Sequence, residues 1–189
     1  MNSSPGKTQV KQVREGLSLL PKRLKTAFAV ACAERAIPIV ARYSSLTMAQ
    51  QALEMAWRFA SGEHLEDADV RGLLSRYDAV INEHYDSGET DFVLAAAFAP
   101  YHALHSVLSA PDYDGSDYAF GSASDAAEVG DRASGGVHVE EELNWQLEAL
   151  SIASAWQDDL AQRDMFDRIA STPAWLEKFR ALHSASAKR

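Results

Sequence analysis

The chain has 189 residues, of which 47% are hydrophobic and 24% charged, so its composition is that of an ordinary globular protein. The net charge of -9 argues against direct binding of nucleic acid, because phosphate recognition requires a basic surface. The apolar runs are broken by charges or proline well short of a membrane span, and the first residues lack the apolar core of a signal peptide, so we expect a cytoplasmic protein with no membrane partner.

The spacing of apolar residues predicts helices along almost the whole chain and no strand. We expect a flexible N-terminal tail over residues 1–7, a single helical domain over 8–184 and a flexible C-terminal tail over 185–189. The predicted fold class is all-α, a single domain of about seven or eight packed, mostly antiparallel helices.

The first helix is predicted from about Thr8 to Leu19, and Pro21 then fits the first turn of a second helix that continues to about Tyr43. The apolar residues on one side of the first helix are Val10, Val13, Leu17 and Leu20.

The second helix contains the stretch "AFAVACAERAIPIV", in which three residues are unusual for an apolar segment: Glu34, Arg35 and Pro38. An internal proline removes a backbone hydrogen bond and bends a helix. We therefore expect Pro38 to be architectural, and Glu34 and Arg35 to be internal polar groups that pair with other helices. The only cysteine, Cys32, lies in the same run, which predicts a buried, inert thiol in a reducing compartment.

A third helix is amphipathic, with Trp57 on its apolar side as a structural residue, and it should end near Gly62. A fourth helix follows, and a fifth begins at Thr90 or Asp91 and contains Pro100. Two alanine-rich helices with an internal proline suggest a curved central pair.

A sixth helix is predicted from about Ser116 to Arg132, and the last helix is "STPAWLEKFRALHS", in which Thr172 is the cap. Between them a long seventh helix has Trp145 one step away from its main apolar side, so we expect this residue to be half exposed. The residues expected to point inward from the seventh helix are Val139, Leu143, Leu147, Leu150, Ala153 and Trp156.

The acidic residues are concentrated in the middle of the chain. Residues 1–76 contain 11 Lys/Arg and 7 Asp/Glu, residues 77–162 contain 1 and 17, and residues 163–189 contain 6 and 3. The middle segment cannot neutralise itself, so either the ends of the chain fold back against it or it presents a negative surface to a basic partner. The alternative is that these acids only solvate helix faces.

Patterns typical of catalysis are weak or absent. "HALH" places His102 and His105 on neighbouring helical turns, but no acid lies three residues before either histidine, as helical di-metal sites require. "DYDGSD" fails as a calcium loop, because its glycine is at position 115 and Ala123 replaces the final glutamate. We therefore expect no catalytic residue, metal or cofactor, and predict that the protein is not an enzyme.

Two segments carry a resemblance to a known family. "LPKRLKTAFAVACAERAIPIV" followed by "ALEMAWRFASGE" resembles two related groups of bacterial helical proteins, and "EELNWQLEAL" is similar to a Glu-Leu-x-x-Gln helix near the end of such proteins. One group is an uncharacterised helical family. The other is the fifth named class of immunity proteins from polymorphic-toxin systems. The resemblance covers about residues 20–63 and, more weakly, 138–150, and it leaves 86–135 unmatched.

The resemblance implies an all-α fold and, for the immunity branch, a cytoplasmic protein that binds and neutralises a toxin. The acidic segment would then face a basic toxin. A homodimer is a further possibility. The alternatives are a helical adaptor of the uncharacterised family or a helical protein that binds a metal or small molecule through His102 and His105. The residues predicted to bind the partner are Asp112, Asp114, Asp117, Asp125, Glu128, Asp131, Glu140, Glu141 and Trp145.

Overall fold

The structure, a computed structural model, describes residues 5–40, 46–86, 91–108, 115–134, 139–156, 161 and 165–166. Within these ranges it contains helices and no strand, which confirms the predicted all-α single domain. The helices are α1 (Pro5–Leu19), α2 (Lys22–Val40), α3 (Leu46–Ala60), α4 (Asp67–Asp86), α5 (Asp91–His105), α6 (Ser116–Ser134) and α7 (Val139–Ala155).

The second helix is the centre of the domain. Helix α2 packs against α3, α5, α6 and α7, and 14 of its 19 residues are buried. The many alanines of α2 and α5 let their backbones approach closely. Small polar side chains add bonds to neighbouring helices, since Ser122 Oγ donates to the Ala29 carbonyl over 2.8 Å, and Thr26 Oγ1 donates over 2.9 Å to Ser106 Oγ, whose own proton goes to the Ala103 carbonyl. The uncharged run from Thr26 to Ala33 fits a helix that is buried on nearly all sides.

The first helix begins earlier than its apolar spacing predicted. Helix α1 starts at Pro5, because proline is compatible with a first helical turn, so the predicted tail over residues 1–7 is helical from residue 5 onward. Val13 and Leu17 are buried, while Val10, which lies on the same side of α1 as predicted, is 39% exposed. This exposed valine lies next to a pocket described below.

Gly62 ends the third helix as predicted. Its φ is 108°, and the Glu63 N–H donates to the Arg58 carbonyl over 2.9 Å while the Gly62 N–H donates to the Phe59 carbonyl over 3.1 Å. These two bonds form a Schellman motif, which needs the left-handed backbone that glycine adopts without strain.

Both predicted internal prolines lie inside continuous helices, Pro38 in α2 and Pro100 in α5. Pro100 cannot donate a backbone hydrogen bond, so the preceding turn of α5 has a carbonyl without its usual helical donor. The carbonyl concerned is that of Ala96, and the next one along α5, that of Ala97, accepts a hydrogen bond of 2.9 Å from the buried Tyr77 hydroxyl of α4. Burial raises the pKa of Tyr77, so the phenol stays neutral and keeps its donor proton.

The buried face of the seventh helix differs from the predicted one. Leu143, Leu150 and Ala153 are buried as expected, but Leu147 is only partly buried. The stripe that faces the core also contains polar groups, because the helix turns Glu142 and Gln146 inward. Sequence spacing alone favoured the leucines, since a buried glutamate is unusual unless a cation neutralises it.

None of the helices within the described ranges is both long and apolar enough to cross a membrane. Several predictions lie outside the described residues: Tyr43, the unmatched calcium-like loop up to Asp114, and the last helix with its cap at Thr172.

Candidate interaction surface

The two segments that carry the family resemblance meet in a buried ion pair. Arg35 Nη2 and Nε each lie 2.8 Å from Glu142 Oε2, and both side chains are almost fully buried. Gln146 Nε2 donates to the Ala123 carbonyl of α6 over 2.8 Å and lies 3.4 Å from Glu142 Oε1. The predicted pairing of Arg35 with a carboxylate of another helix is confirmed. The network joins α2, α6 and α7, so its role is structural.

Trp145 belongs to the interior and not to the surface. It is 8% exposed, and the Arg35 guanidinium lies 4.3 Å from its ring centroid, a cation–π contact. The prediction of a half-exposed Trp145 that anchors a partner is therefore wrong. The sequence signal was misleading because the indole lies one step off the leucines but directly on the side that faces α2.

Glu34 contradicts the expectation of an internal charge. Its side chain is exposed, because position 34 is on the one side of α2 that reaches solvent. Glu34 Oε1 nevertheless accepts a hydrogen bond of 2.9 Å from Nε1 of Trp57, which is 3% exposed and so confirms its predicted structural position. Glu34 thus satisfies the polar atom of a core tryptophan from the surface.

The predicted partner-binding acids do not form one uniform patch. Asp117 and Glu140 are exposed, while Glu128 and Glu141 are partly buried. Asp125 is turned away from them and contacts α5. Asp112 and Asp114 lie outside the described residues, and so does the side chain of Asp131, although its backbone belongs to α6.

Cations from the first part of the chain fold back onto two acids of the middle segment. Arg35 neutralises the buried Glu142, and Arg14 Nη2 lies 3.1 Å from Oδ1 of the exposed Asp117. The Arg14 guanidinium also covers the ring of Phe120 at 5.3 Å from the centroid. The first outcome foreseen for the acidic segment, that the ends of the chain fold back against it, therefore occurs at Glu142 and Asp117, while Glu140 remains on the surface.

A small apolar pocket opens between α1, α6 and α7. Its volume is about 300 Å³, part of which is open to solvent. Charged residues of both signs follow lining residues in the sequence, Lys11 and Arg14 on α1, Glu128 on α6 and Glu140 on α7. The pocket is therefore mainly apolar, and its surroundings are not of one charge. The lining residues are Val10, Val13, Phe120, Ser124, Ala127, Val139, Leu143 and Gln146.

The histidines of "HALH" form an aromatic cluster with α6. His102 Nδ1 lies 2.7 Å from Asp125 Oδ2, and the His105 ring stacks on Tyr118 with centroids 4.4 Å apart. Gly121 permits this approach, since a Cβ at that position would lie 3.0 Å from His102 Nδ1. Within the described part of the chain, no group of three His, Cys, Asp or Glu side chains is arranged to hold a metal ion.

Burial shifts the protonation of this cluster. It lowers the pKa of His105 to about 4, with a further contribution from the neighbouring His102, so the imidazole is neutral at pH 7. Burial also raises the pKa of Asp125, against the opposing effect of its hydrogen bond to His102. At neutral pH the partly buried His105 ring is thus an uncharged member of this cluster, packed between the Tyr101 and Tyr118 rings.

Cys32 is buried completely, as predicted. Burial and the nearby Glu142 raise the pKa of its thiol, so the reactive thiolate is disfavoured. The prediction of an inert thiol agrees with these surroundings.

A comparison of the chain with protein-family models, with curated proteins and with solved structures finds no match.

Sequence reasoning missed two features of this region, the pocket and the buried position of Glu142. A signal for Glu142 was present, because it lies in helical phase with the small residues Ala149 and Ala153 and with Gln146. The pocket had no comparable signal. It depends on how far three helices stand apart, and that distance follows from packing between residues remote in sequence.

Proposed function

We propose that this protein is an immunity protein that binds a cognate bacterial toxin and neutralises it, with an acidic surface that faces a basic region of the toxin. The observation that carries the proposal is the charge asymmetry: residues 77–162 hold 17 acids and one base. The resemblance of residues 20–63 to immunity proteins supplies the class of partner. Complementary charge accelerates encounter and selects the partner.

The contacts of the described residues support a binding role. The chain's own cations neutralise Glu142 and Asp117, while Glu83, Glu140 and Glu148 lie exposed, with no ion-pair partner among the described residues. These three belong to α4 and α7. Exposed acids separated from the chain's cations leave a negative field that attracts a basic protein.

A bacterial co-expression assay tests the proposal. The chain is expressed together with the product of the neighbouring gene, and growth is compared with that of cells carrying the neighbouring gene alone. Rescue of growth and a stable complex in calorimetry are the expected results. If the purified neighbouring product does not bind the chain and growth is not rescued, the immunity function is wrong.

Charge-reversal variants test the role of the acidic surface. The triple variant Asp112→Lys, Asp114→Lys and Glu140→Lys should lower the association rate about tenfold or more at low salt. The matched control variant reverses three exposed acids outside the middle segment, Glu54, Glu66 and Asp69. Equal association rates for the two triple variants would show that the acidic segment does not direct binding.

A further inference from the structure

We draw no further inference here: the strongest candidate, the partly exposed histidine cluster between α5 and α6, carries nothing, because its imidazoles already bond a carboxylate or stack on aromatic rings of the chain, and the charges beside it on α4, Arg71 and Asp78, are of opposite sign and select no ligand or partner.

Discussion

Arg35 and Glu142 form an ion pair that water does not reach, and its contribution to stability differs from that of a surface pair. Removing both charges from water is costly, and the contacts of 2.8 Å from Nε and Nη2 to Oε2, with a third of 3.1 Å from Nε to Oε1, offset that cost. Removing one partner alone leaves a buried charge without compensation. The pair therefore enforces the correct packing of α7 on α2, because any arrangement that separates them is penalised.

We predict that Glu142→Leu lowers the free energy of unfolding by about 3–5 kcal/mol, because the buried Arg35 guanidinium then loses the carboxylate that it contacts at 2.8 Å. Urea denaturation measures the loss. The double variant Arg35→Met with Glu142→Leu should recover most of it, since an apolar pair of similar volume removes both charges. Glu148→Leu, at an exposed position of the same helix, is the control and should change stability by no more than about 0.5 kcal/mol. A double variant as unstable as the single one would contradict this account.

The histidine cluster makes stability depend on pH. His105 has a folded-state pKa of about 4, below the unfolded value of about 6.5, so the unfolded chain binds the proton more readily between these values. Stability should thus be fully present above about pH 6.5 and decline as the pH falls towards 4. Asp125, whose pKa is raised, acts in the opposite direction, because the folded state takes up its proton more readily.

Urea denaturation at pH 7 and pH 5 tests this prediction. Between pH 7 and pH 5 the free energy of unfolding should fall by about 1 kcal/mol less in the His105→Gln variant than in the original chain. This value is reduced because the ring is partly exposed. His64, which is exposed, provides the control: His64→Gln should leave the pH dependence as it is. If His105→Gln and the original chain respond equally to acid, His105 is not a source of the pH dependence.

At the scale of the helices, periodicity and end signals located most elements correctly. The end of α3 at Gly62 and the alanine-rich helices α2 and α5 depend on local sequence. Sequence alone therefore predicted where they lie. The start of α1 at Pro5 was missed although proline suits a first helical turn, and the exposure of Val10 was not foreseen because it depends on how α1 sits against α6 and α7. Packing also explains which part of the candidate site could not be predicted. The sequence showed which segment is acidic. Only packing determines that Asp125 turns towards His102 while Glu140 faces solvent.

Helices α1 and α7 approach closely at Gly16. A Cβ built there would lie 3.1 Å from Leu150 Cδ1, so a branched side chain would force the two helices apart. We predict that Gly16→Val lowers the free energy of unfolding by about 1–3 kcal/mol through overpacking. Thermal or urea denaturation measures the change.

Gly72 in α4 is the matched control for that prediction. A Cβ at this position would meet only the end of the flexible Arg76 side chain at 3.9 Å. Gly72→Ala should therefore stabilise the protein by about 0.5–1 kcal/mol, because alanine restricts the unfolded chain and favours the helix. A stabilising Gly16→Val would show that α1 and α7 are not held together at this contact.

For the whole molecule, the acidic segment has opposite consequences for folding and for binding. With 17 acids and one base over residues 77–162, like charges repel each other in the folded chain more than in an extended one. The two ion pairs with Arg14 and Arg35 relieve part of this repulsion. A surface suited to attracting a basic protein therefore reduces the stability of the free chain.

Salt separates the two effects, since a Debye length falls from about 30 Å at 0.01 M to about 8 Å at 0.15 M. We predict that the unfolding midpoint of the free chain in urea rises with this increase in sodium chloride, because screening weakens the internal repulsion. Association with the neighbouring gene product should weaken over the same range, because screening also weakens the attraction that we propose. The Asp112→Lys, Asp114→Lys and Glu140→Lys variant should show a smaller response in both measurements. A free chain that salt destabilises would mean that attractive pairs such as Arg14 with Asp117 outweigh the repulsion among the acids.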